Sequence, residues 1–425
     1  MDFKEISEKM KSIHETLLNY IDHEGPSEDN FENLKIIFED PHTQENKYAL
    51  ISIFHLITKI STNHYRGSSF FDKIDKILKY LEYPMKKYFS QREIFNIFKS
   101  NKRILLFLVE ESIITFDRYI VSKITKEYKY VKAFYPQFFQ PELQPFINEK
   151  WFPTRKTVFF ALKDDYEYLN AIRKDLPDNF YENRKRGENH NYICELIRRD
   201  AVEEFVAYVT KTNYSLDATI EESIYETHSF LINKQKSKNV AKIFVPLRPK
   251  KYDNSKEMTL IKYAAFFGSI QIFRFLKNNG ISLTSFIWPY VIHSNNADIF
   301  HILEECHVQP EYSEDGNTFN QYYIEAIKCH HNDFAKYIKE TYSLFANAKK
   351  YFLNMIKYHN YDLIDFDSFD KSMFFYFCRY GYTSIVSEFL KSKDIDVNIL
   401  IVSLISFYAI HLFGLFFYLI SDLNN

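Results

Sequence analysis

The chain has 425 residues, of which 46% are apolar and 26% are charged, and it is rich in aromatic residues, with 42 Phe and 33 Tyr. This composition is that of a globular protein with a large core, and it argues against intrinsic disorder. The formal charge of −2 gives no overall field that would attract nucleic acid, so we expect no nucleic-acid partner.

The spacing of the glycines and cysteines excludes further classes of protein. The eight glycines are at least twelve residues apart, which excludes a Walker A loop and a GxGxxG fingerprint. The four cysteines form no CxxC pair, so we expect neither a zinc ribbon nor a disulfide framework, and their usage fits a reducing compartment. The start, "MDFKEISEKMKS", is charged throughout and is not a secretory signal. We therefore expect a cytoplasmic body with no cofactor and no metal.

Residues 1–135 form the first predicted region, and it is helical. Apolar residues recur at three- and four-residue spacing in 48–61, 70–89 and 92–124. Ser90 is followed three residues later by Glu93, which is typical of a helix start. Four prolines then follow between 136 and 153, and this density predicts a connector over 136–153.

Self-similar segments follow the connector, in the region 154–398. The segment "YAAFFGSIQIFRFLKNNG" (263–280) aligns with "FCRYGYTSIVSEFLKSKD" (377–394), and three weaker copies lie between them. Each copy predicts a short helix, a turn and a second helix. The turn residues, which should tolerate left-handed backbone, are Gly268, Asn295, His330, His359 and Gly381. Such hairpins bury their faces by stacking, which predicts a helical solenoid.

The segment 259–282 resembles an ankyrin repeat. Thr259, the pair Ala264-Ala265 and Gly268 match the family's threonine, alanine pair and turn glycine. Lys262 stands where the family has a histidine that bonds to the neighbouring repeat, which is a departure from the family pattern. The wider chain is similar to divergent, protist-type ankyrin proteins with an associated helical domain of unknown function. The resemblance implies an all-α protein, with a helical N-terminal region followed by a degenerate ankyrin-like helical-hairpin solenoid.

The resemblance also implies a binding surface. In ankyrin arrays the variable pair before each turn faces the concave side, and Arg and aromatic side chains often anchor interfaces. The alternative is that these side chains pack against a neighbouring repeat. The candidate partner-binding residues are Phe266, Phe267, His293, Lys328, Lys357, Tyr358, Arg379 and Tyr380.

Catalytic and metal chemistry have weak support. The pieces Cys306-His307 and Cys329-His330-His331 contain zinc-ligand types, but the predicted repeat pattern separates them along the hairpins. No GxSxG or HExxH motif occurs. We therefore expect a protein that is not an enzyme, and an enzyme without a recognisable motif stays as the alternative.

Residues 399–420 lack Asp, Glu, Lys and Arg. As a helix they would span roughly 33 Å, enough for a bilayer core. A transmembrane tail anchor, a buried last repeat and an aberrant end are the three hypotheses, of which the anchor is favoured. The sequence thus predicts a non-catalytic scaffold that binds another protein through the concave face of the solenoid. The alternative is a tail-anchored membrane adaptor that presents the solenoid to the cytosol.

Overall fold

The computed structural model of the chain describes residues 3–23, 25, 28–64, 66–126, 133–148, 175–234, 257–309, 319–342, 348–366 and 374–391. Regular structure in these ranges is helical, apart from one isolated antiparallel bridge between Thr219 and Thr259. The predicted all-α class is therefore confirmed for the part of the chain that is described.

The helices, in chain order, are α1 (Phe3–Asp22), α2 (Glu28–Glu39), α3 (Pro41–Gln44), α4 (Lys47–Asn63), α5 (Phe70–Tyr80), α6 (Glu82–Tyr88), α7 (Gln91–Phe98), α8 (Lys102–Glu110), α9 (Arg118–Lys126), α10 (Tyr135–Phe138), α11 (Gln140–Asn148), α12 (Phe180–Arg186), α13 (Tyr192–Arg198), α14 (Val202–Thr212), α15 (Ser229–Lys234), α16 (Leu260–Phe267), α17 (Ile270–Asn278), α18 (Trp288–Ser294), α19 (Ala297–Glu305), α20 (Phe319–Cys329), α21 (Asn332–Thr341), α22 (Ala348–Tyr358), α23 (Phe374–Tyr380) and α24 (Thr383–Lys391). Short 3₁₀ turns occur at Ser285–Ile287 and Tyr361–Leu363.

The chain divides into two compact units. Unit 1 joins Met1–Pro84 with Glu314–Asn425, and unit 2 is Met85–Ser313. Unit 1 thus groups α1 to α5 with α20 to α24. The predicted connector at 136–153 falls inside unit 2 and overlaps two short helices, α10 and α11.

In unit 1, helices from the two ends of the chain share one core. Helix α4 begins at the cap residue Asn46, whose side chain accepts the N–H groups of Tyr48 and Ala49. Helix α4 packs against α20 and α24, while α1 packs against α2, α5, α24 and the turn Tyr361–Leu363. Helices α20, α22 and α23 lie side by side in that order, and α24 folds back on α23.

Unit 2 contains three stacked hairpins. The first helices α13, α16 and α18 pack in sequence, and the second helices α14, α17 and α19 pack in the same sequence. The small residues Ala264 and Ala265 are fully buried between neighbours. Earlier in this unit, Ser90 and Glu93 form the reciprocal bonds of a capping box at the start of α7, as predicted.

Left-handed backbone occurs at every residue assigned to the turn pattern. The φ angles are +69° at Gly268, +51° at Asn295, +61° at His330, +57° at His359 and +80° at Gly381. Glycine, Asn and His tolerate this region better than bulky or β-branched residues. A sixth member of the pattern is Asp200, with φ +48°, between α13 and α14. Sequence reasoning did not assign it.

Hydrogen bonds link consecutive hairpins at these turns. In each case the side chain of the residue just after the turn donates a hydrogen bond to a backbone carbonyl of the preceding hairpin. The bonds are Ser269 Oγ to Ile197 O at 2.5 Å, Asn296 Nδ2 to Gly268 O at 3.2 Å, Asn360 Nδ2 to Ile327 O at 2.9 Å and Tyr382 OH to Ile356 O at 3.0 Å. Lys262 donates to Glu257 O at 2.9 Å, and its Nζ lies 5.9 Å from the ring centroid of Tyr290 in the next hairpin. Consecutive hairpins are therefore linked at the turns and also through this side chain.

The segment 399–420 and the predicted finger "DIDVN" (394–398) lie outside the described residues. Among the helices that are described, none combines the length and apolar character that crossing a bilayer requires.

The carboxylate of Asp200 provides a test of the turn linkage. It accepts the N–H groups of Gln271 and Ile272, both at 3.0 Å, and so caps the start of α17 in the next hairpin. Asp200→Asn keeps a residue that tolerates left-handed backbone but removes one acceptor. Native-state hydrogen exchange should show the two amides exchanging about tenfold faster, which corresponds to roughly 1–2 kcal/mol of lost capping. Asp298→Asn, an exposed charge in α19, is the matched control. Equal protection in both variants would contradict the linkage.

Candidate functional site

Helix α4 lies across the turns of the last hairpins in unit 1. Near its start, the carbonyl of Tyr48 accepts a hydrogen bond from Thr383 Oγ1 at 2.7 Å. Two helical turns later, the ring of His55 stacks on the ring of His359, with centroids 5.5 Å apart and planes 16° apart. A Cβ on Gly381 would lie only 2.8 Å from the His55 ring, so the close approach requires glycine there.

The residue after α4, His64, contacts the turn of an earlier hairpin. Its Nδ1 lies 2.5 Å from the carbonyl oxygen of Cys329, and its Nε2 lies 2.7 Å from Asp22 Oδ1. Its ring also meets the ring of His331 edge-on, at 5.0 Å between centroids. Together these contacts place α4 along three successive turns, which fixes its direction over the hairpins.

Helix α1 makes the same kind of contact through His14. The Nε2 atom of His14 lies 2.8 Å from Nδ1 of His330, a residue 316 positions later. The N–H of Asp362 donates to His14 Nδ1 at 3.4 Å, and the ring of Tyr361 lies edge-on at 6.3 Å. We call the six side chains at these contacts the histidine cluster. Its members are His14, His55, His64, His330, His331 and His359. All are buried except His55, which is half-buried.

The hydrogen bonds define the protonation of His14. Because its Nδ1 accepts from Asp362, the proton of the neutral ring lies on Nε2, which donates to His330 Nδ1. Burial, together with repulsion from His64, lowers the pKa of His14 to about 3. Burial and the neighbouring histidines also lower the pKa of His330 well below its usual range. This pair is therefore neutral at physiological pH.

His64 is the charged member of the cluster. Both of its ring nitrogens face acceptors, the Cys329 carbonyl and the Asp22 carboxylate, so both carry protons. Burial opposes this charge, but the attraction and hydrogen bond of Asp22, with the carbonyl of Cys329, raise the pKa of His64. The cluster thus includes an imidazolium, that of His64, beside the carboxylate of Asp22.

Next to the cluster is a set of cations that we call the cationic edge, formed by Lys59, Lys357 and Arg379. Lys59 follows His55 by one turn of α4 and is half-buried. Lys357 and Arg379 are exposed, and each stands two residues before a turn, on the packed helices α22 and α23. Burial and repulsion from Lys357 lower the pKa of Lys59 to about 8. Burial and repulsion from Lys59 lower the pKa of His55 to about 3.

The predicted partner-binding residues of unit 1 lie on or beside this edge. Lys357 and Arg379 each lie over the ring of the next residue, at 5.0 Å from the Tyr358 centroid and 5.6 Å from the Tyr380 centroid. Both tyrosines are half-buried. Lys328, also half-buried, pairs with Glu325 at 2.7 Å. These five residues therefore present polar or aromatic atoms at one register of consecutive hairpins.

The predicted partner-binding residues of unit 2 are placed differently. Phe266, Phe267 and His293 are buried, which matches the alternative that they pack within the array. Phe230 of α15 packs against two of them, stacking on Phe266 at 5.8 Å and lying 4.1 Å from His293, measured between ring centroids. A helix outside the hairpins thus occupies this face of unit 2, and these three side chains are not on the surface.

Sequence reasoning missed Lys59 and the N-terminal half of the histidine cluster. It assigned His330 and His359 to turns on conformational grounds alone. The relevant signal was the pairing of polar residues on α1 and α4 with a turn pattern some 300 residues away, which no local periodicity contains. The expected absence of a metal, a cofactor and catalysis stays a prediction.

No family model, curated protein or solved structure matches this chain. The ankyrin-like assignment therefore stays a prediction.

Acidification should weaken unit 1. His14 and His55 have pKa values of about 3 in the fold, against 6.5 for a histidine side chain exposed to water, so their stabilising contribution is present above pH 6.5 and is lost as the pH falls. Between pH 7 and pH 5, each of these two histidines should lower the free energy of unfolding by about 2 kcal/mol. His64 has the opposite sign, since its raised pKa stabilises the fold at and below pH 6.5. The histidines whose pKa is lowered outnumber His64, so unit 1 should lose stability overall as the pH falls.

The measurement is urea unfolding at pH 7 and pH 5, followed through the accessibility of the buried thiols Cys329 and Cys378 to a disulfide reagent that reacts at both pH values. A His14→Gln/His55→Gln variant should lose much less stability on acidification than the native chain does. Equal losses would show that these rings do not carry the pH dependence.

Proposed function

We propose that this chain is a non-catalytic scaffold that binds another protein through the surface formed by Lys357, Tyr358, Arg379 and Tyr380. The observation that carries the proposal is the repetition of a cation followed by a tyrosine at the same register of two packed helices, with both cations exposed. Arg and Tyr are the residue types that most often dominate binding energy at protein interfaces.

The burial pattern supports this surface over the rest of the predicted face. In unit 2 the corresponding side chains are buried, two of them against Phe230 of α15, so they cannot contact a partner without rearrangement. In unit 1, helix α4 crosses the turns but leaves Lys357 and Arg379 exposed beside it. The accessible part of the predicted binding surface is therefore this short cationic and aromatic row.

The proposal includes the ankyrin-like solenoid as its framework. It is supported by the left-handed turns and by the packing of first helix on first helix in unit 2 and in the series of unit 1. A rigid array suits binding because little conformational entropy is lost when the partner docks.

Selection from a displayed library of random peptides tests the proposed function. The full chain should enrich peptides that lose about tenfold or more in affinity for a Lys357→Ala/Arg379→Ala variant, since each residue is of a type that commonly anchors interfaces. A Lys349→Ala/Lys350→Ala variant, which changes two exposed lysines at the other end of α22, should bind like the native chain. If the enriched peptides bind all three proteins equally, the surface is not the binding site.

A membrane-attached form of the scaffold is the alternative, and it is based on the uncharged segment 399–420. If that segment inserts in a bilayer, the full chain should stay in the membrane pellet after carbonate washing, while a chain ending at residue 398 should be released. Release of both proteins would contradict membrane attachment through this segment.

A further inference from the structure

We infer that Lys59 and Lys357 form a binding site for an oxyanion, the side-chain carboxylate or phosphate of a peptide that docks on the cationic edge. This inference rests on the proposed function and specifies the chemistry of the partner: an acidic peptide segment with an apolar or aromatic residue beside its charges.

The position of Lys59 is set by helix geometry. His55 is fixed against His359 and Gly381, and Lys59 lies one turn further along the same face of α4. Lys357 lies two residues before His359, at the end of α22. Lys59 and Lys357 thus stand on different elements, α4 and α22, each close in sequence to one ring of the same stacked pair, and the charge of Lys357 acts on Lys59.

Neither ammonium is neutralised by the described part of the chain. Lys59 has no side-chain hydrogen bond and no ion pair there, and the groups that act on it electrostatically include Lys357 but no carboxylate. The one interaction of Lys357 there, besides that repulsion, is with the ring of Tyr358. The repulsion between the two ammonium groups is unfavourable, the more so because Lys59 is partly desolvated. An anion bound to both would replace this repulsion by two attractions. The lowered pKa of Lys59 is consistent with this arrangement.

The first hairpin of the unit 1 series shows which kind of group pairs with a lysine at this position. Lys328 occupies the same position relative to its turn, and the carboxylate of Glu325, three residues earlier, accepts its hydrogen bond at 2.7 Å. That carboxylate outweighs burial and raises the pKa of Lys328. The residues three positions before Lys357 and Arg379 are Asn354 and Tyr376, which carry no negative charge. The chain supplies a carboxylate to Lys328 and has no acidic residue at the same place beside Lys357.

The aromatic neighbours extend the site beyond a bare charge. Tyr358 and Tyr380 are half-buried and follow the two exposed cations directly. Lys328 stands at the same position before its turn on α20, which packs against α22, so it continues the series of cations. A ligand that spans the row would meet alternating ammonium or guanidinium groups and tyrosine rings. This arrangement favours a peptide over a small inorganic anion.

The test is calorimetric titration of the full chain with Ac-Glu-Glu-Phe-Glu-Glu-NH2, the same peptide with Gln in place of Glu, and Ac-Gln-pSer-Phe-pSer-Gln-NH2. At least one of the two anionic peptides should bind about tenfold more tightly than the Gln peptide, because charged hydrogen bonds are lost in the neutral one. The tighter of the two identifies the oxyanion as carboxylate or phosphate. Inorganic phosphate alone should compete only weakly.

Variants then locate the site. Lys59→Met keeps the length and apolar stem of the side chain, and it should weaken the anionic peptides about tenfold. Lys357→Gln should have a similar effect, while Lys350→Gln on the same helix should leave affinity unchanged. Melting curves of each variant confirm that the chain is folded.

The outcomes separate this inference from the proposed function. If the library selection yields peptides that depend on Lys357 and Arg379 but the anionic and neutral peptides bind alike, the oxyanion site is wrong and the scaffold stands. Tight anionic binding that Lys59→Met leaves unchanged also overturns the site. If the selection yields no peptide that depends on the row and the anionic peptides do not bind, both are wrong.

Discussion

The packing of α4 and α1 on the turns of the last hairpins is the interaction on which unit 1 depends. A left-handed turn exposes backbone carbonyl groups at the end of each first helix, and buried carbonyls must find donors. Here His64, from the end of α4, donates to the carbonyl of Cys329. Side chains of the next hairpin donate to the carbonyls of Ile327 and Ile356. Imidazole suits the role because it is flat, can stack, and offers both a donor and an acceptor.

The same packing explains the electrostatics of the unit. Five of the six rings lie out of water, and for His14, His55, His330 and His359 burial holds the pKa low, so these rings are neutral. His64 is charged because Asp22 stays beside it. At the margin, Lys59 carries a charge that no carboxylate in the described chain balances. In the interior, these four rings are neutral and the charge of His64 is balanced by Asp22. At the edge, the charge of Lys59 is not balanced within the described chain, so an anionic ligand would gain the most binding energy there.

Local features of this fold were predictable from the sequence, and long-range ones were not. Apolar spacing indicated the helices, and the preference of Gly, Asn and His for left-handed backbone indicated five of the turns. The turn at Asp200 was not predicted, because the segment 191–209 was assigned only to the wider family resemblance and not to the turn pattern. Phe266 and His293 pack against Phe230, which lies 36 residues before the first and 63 before the second, and the exposure of Lys357 depends on where α4 lies. Periodicity says which face of a helix is apolar but not which distant segment covers it.

The hydrogen bond between the rings of His14 and His330 tests the central claim most directly, because it joins the two ends of the chain. In protein labelled with ¹⁵N-histidine, NMR should show a coupling across the hydrogen bond between a ring nitrogen of His14 and one of His330. Both rings should stay neutral well below pH 6.5, and His14→Gln should abolish the coupling. Two rings without coupling that titrate near pH 6.5 would contradict the account.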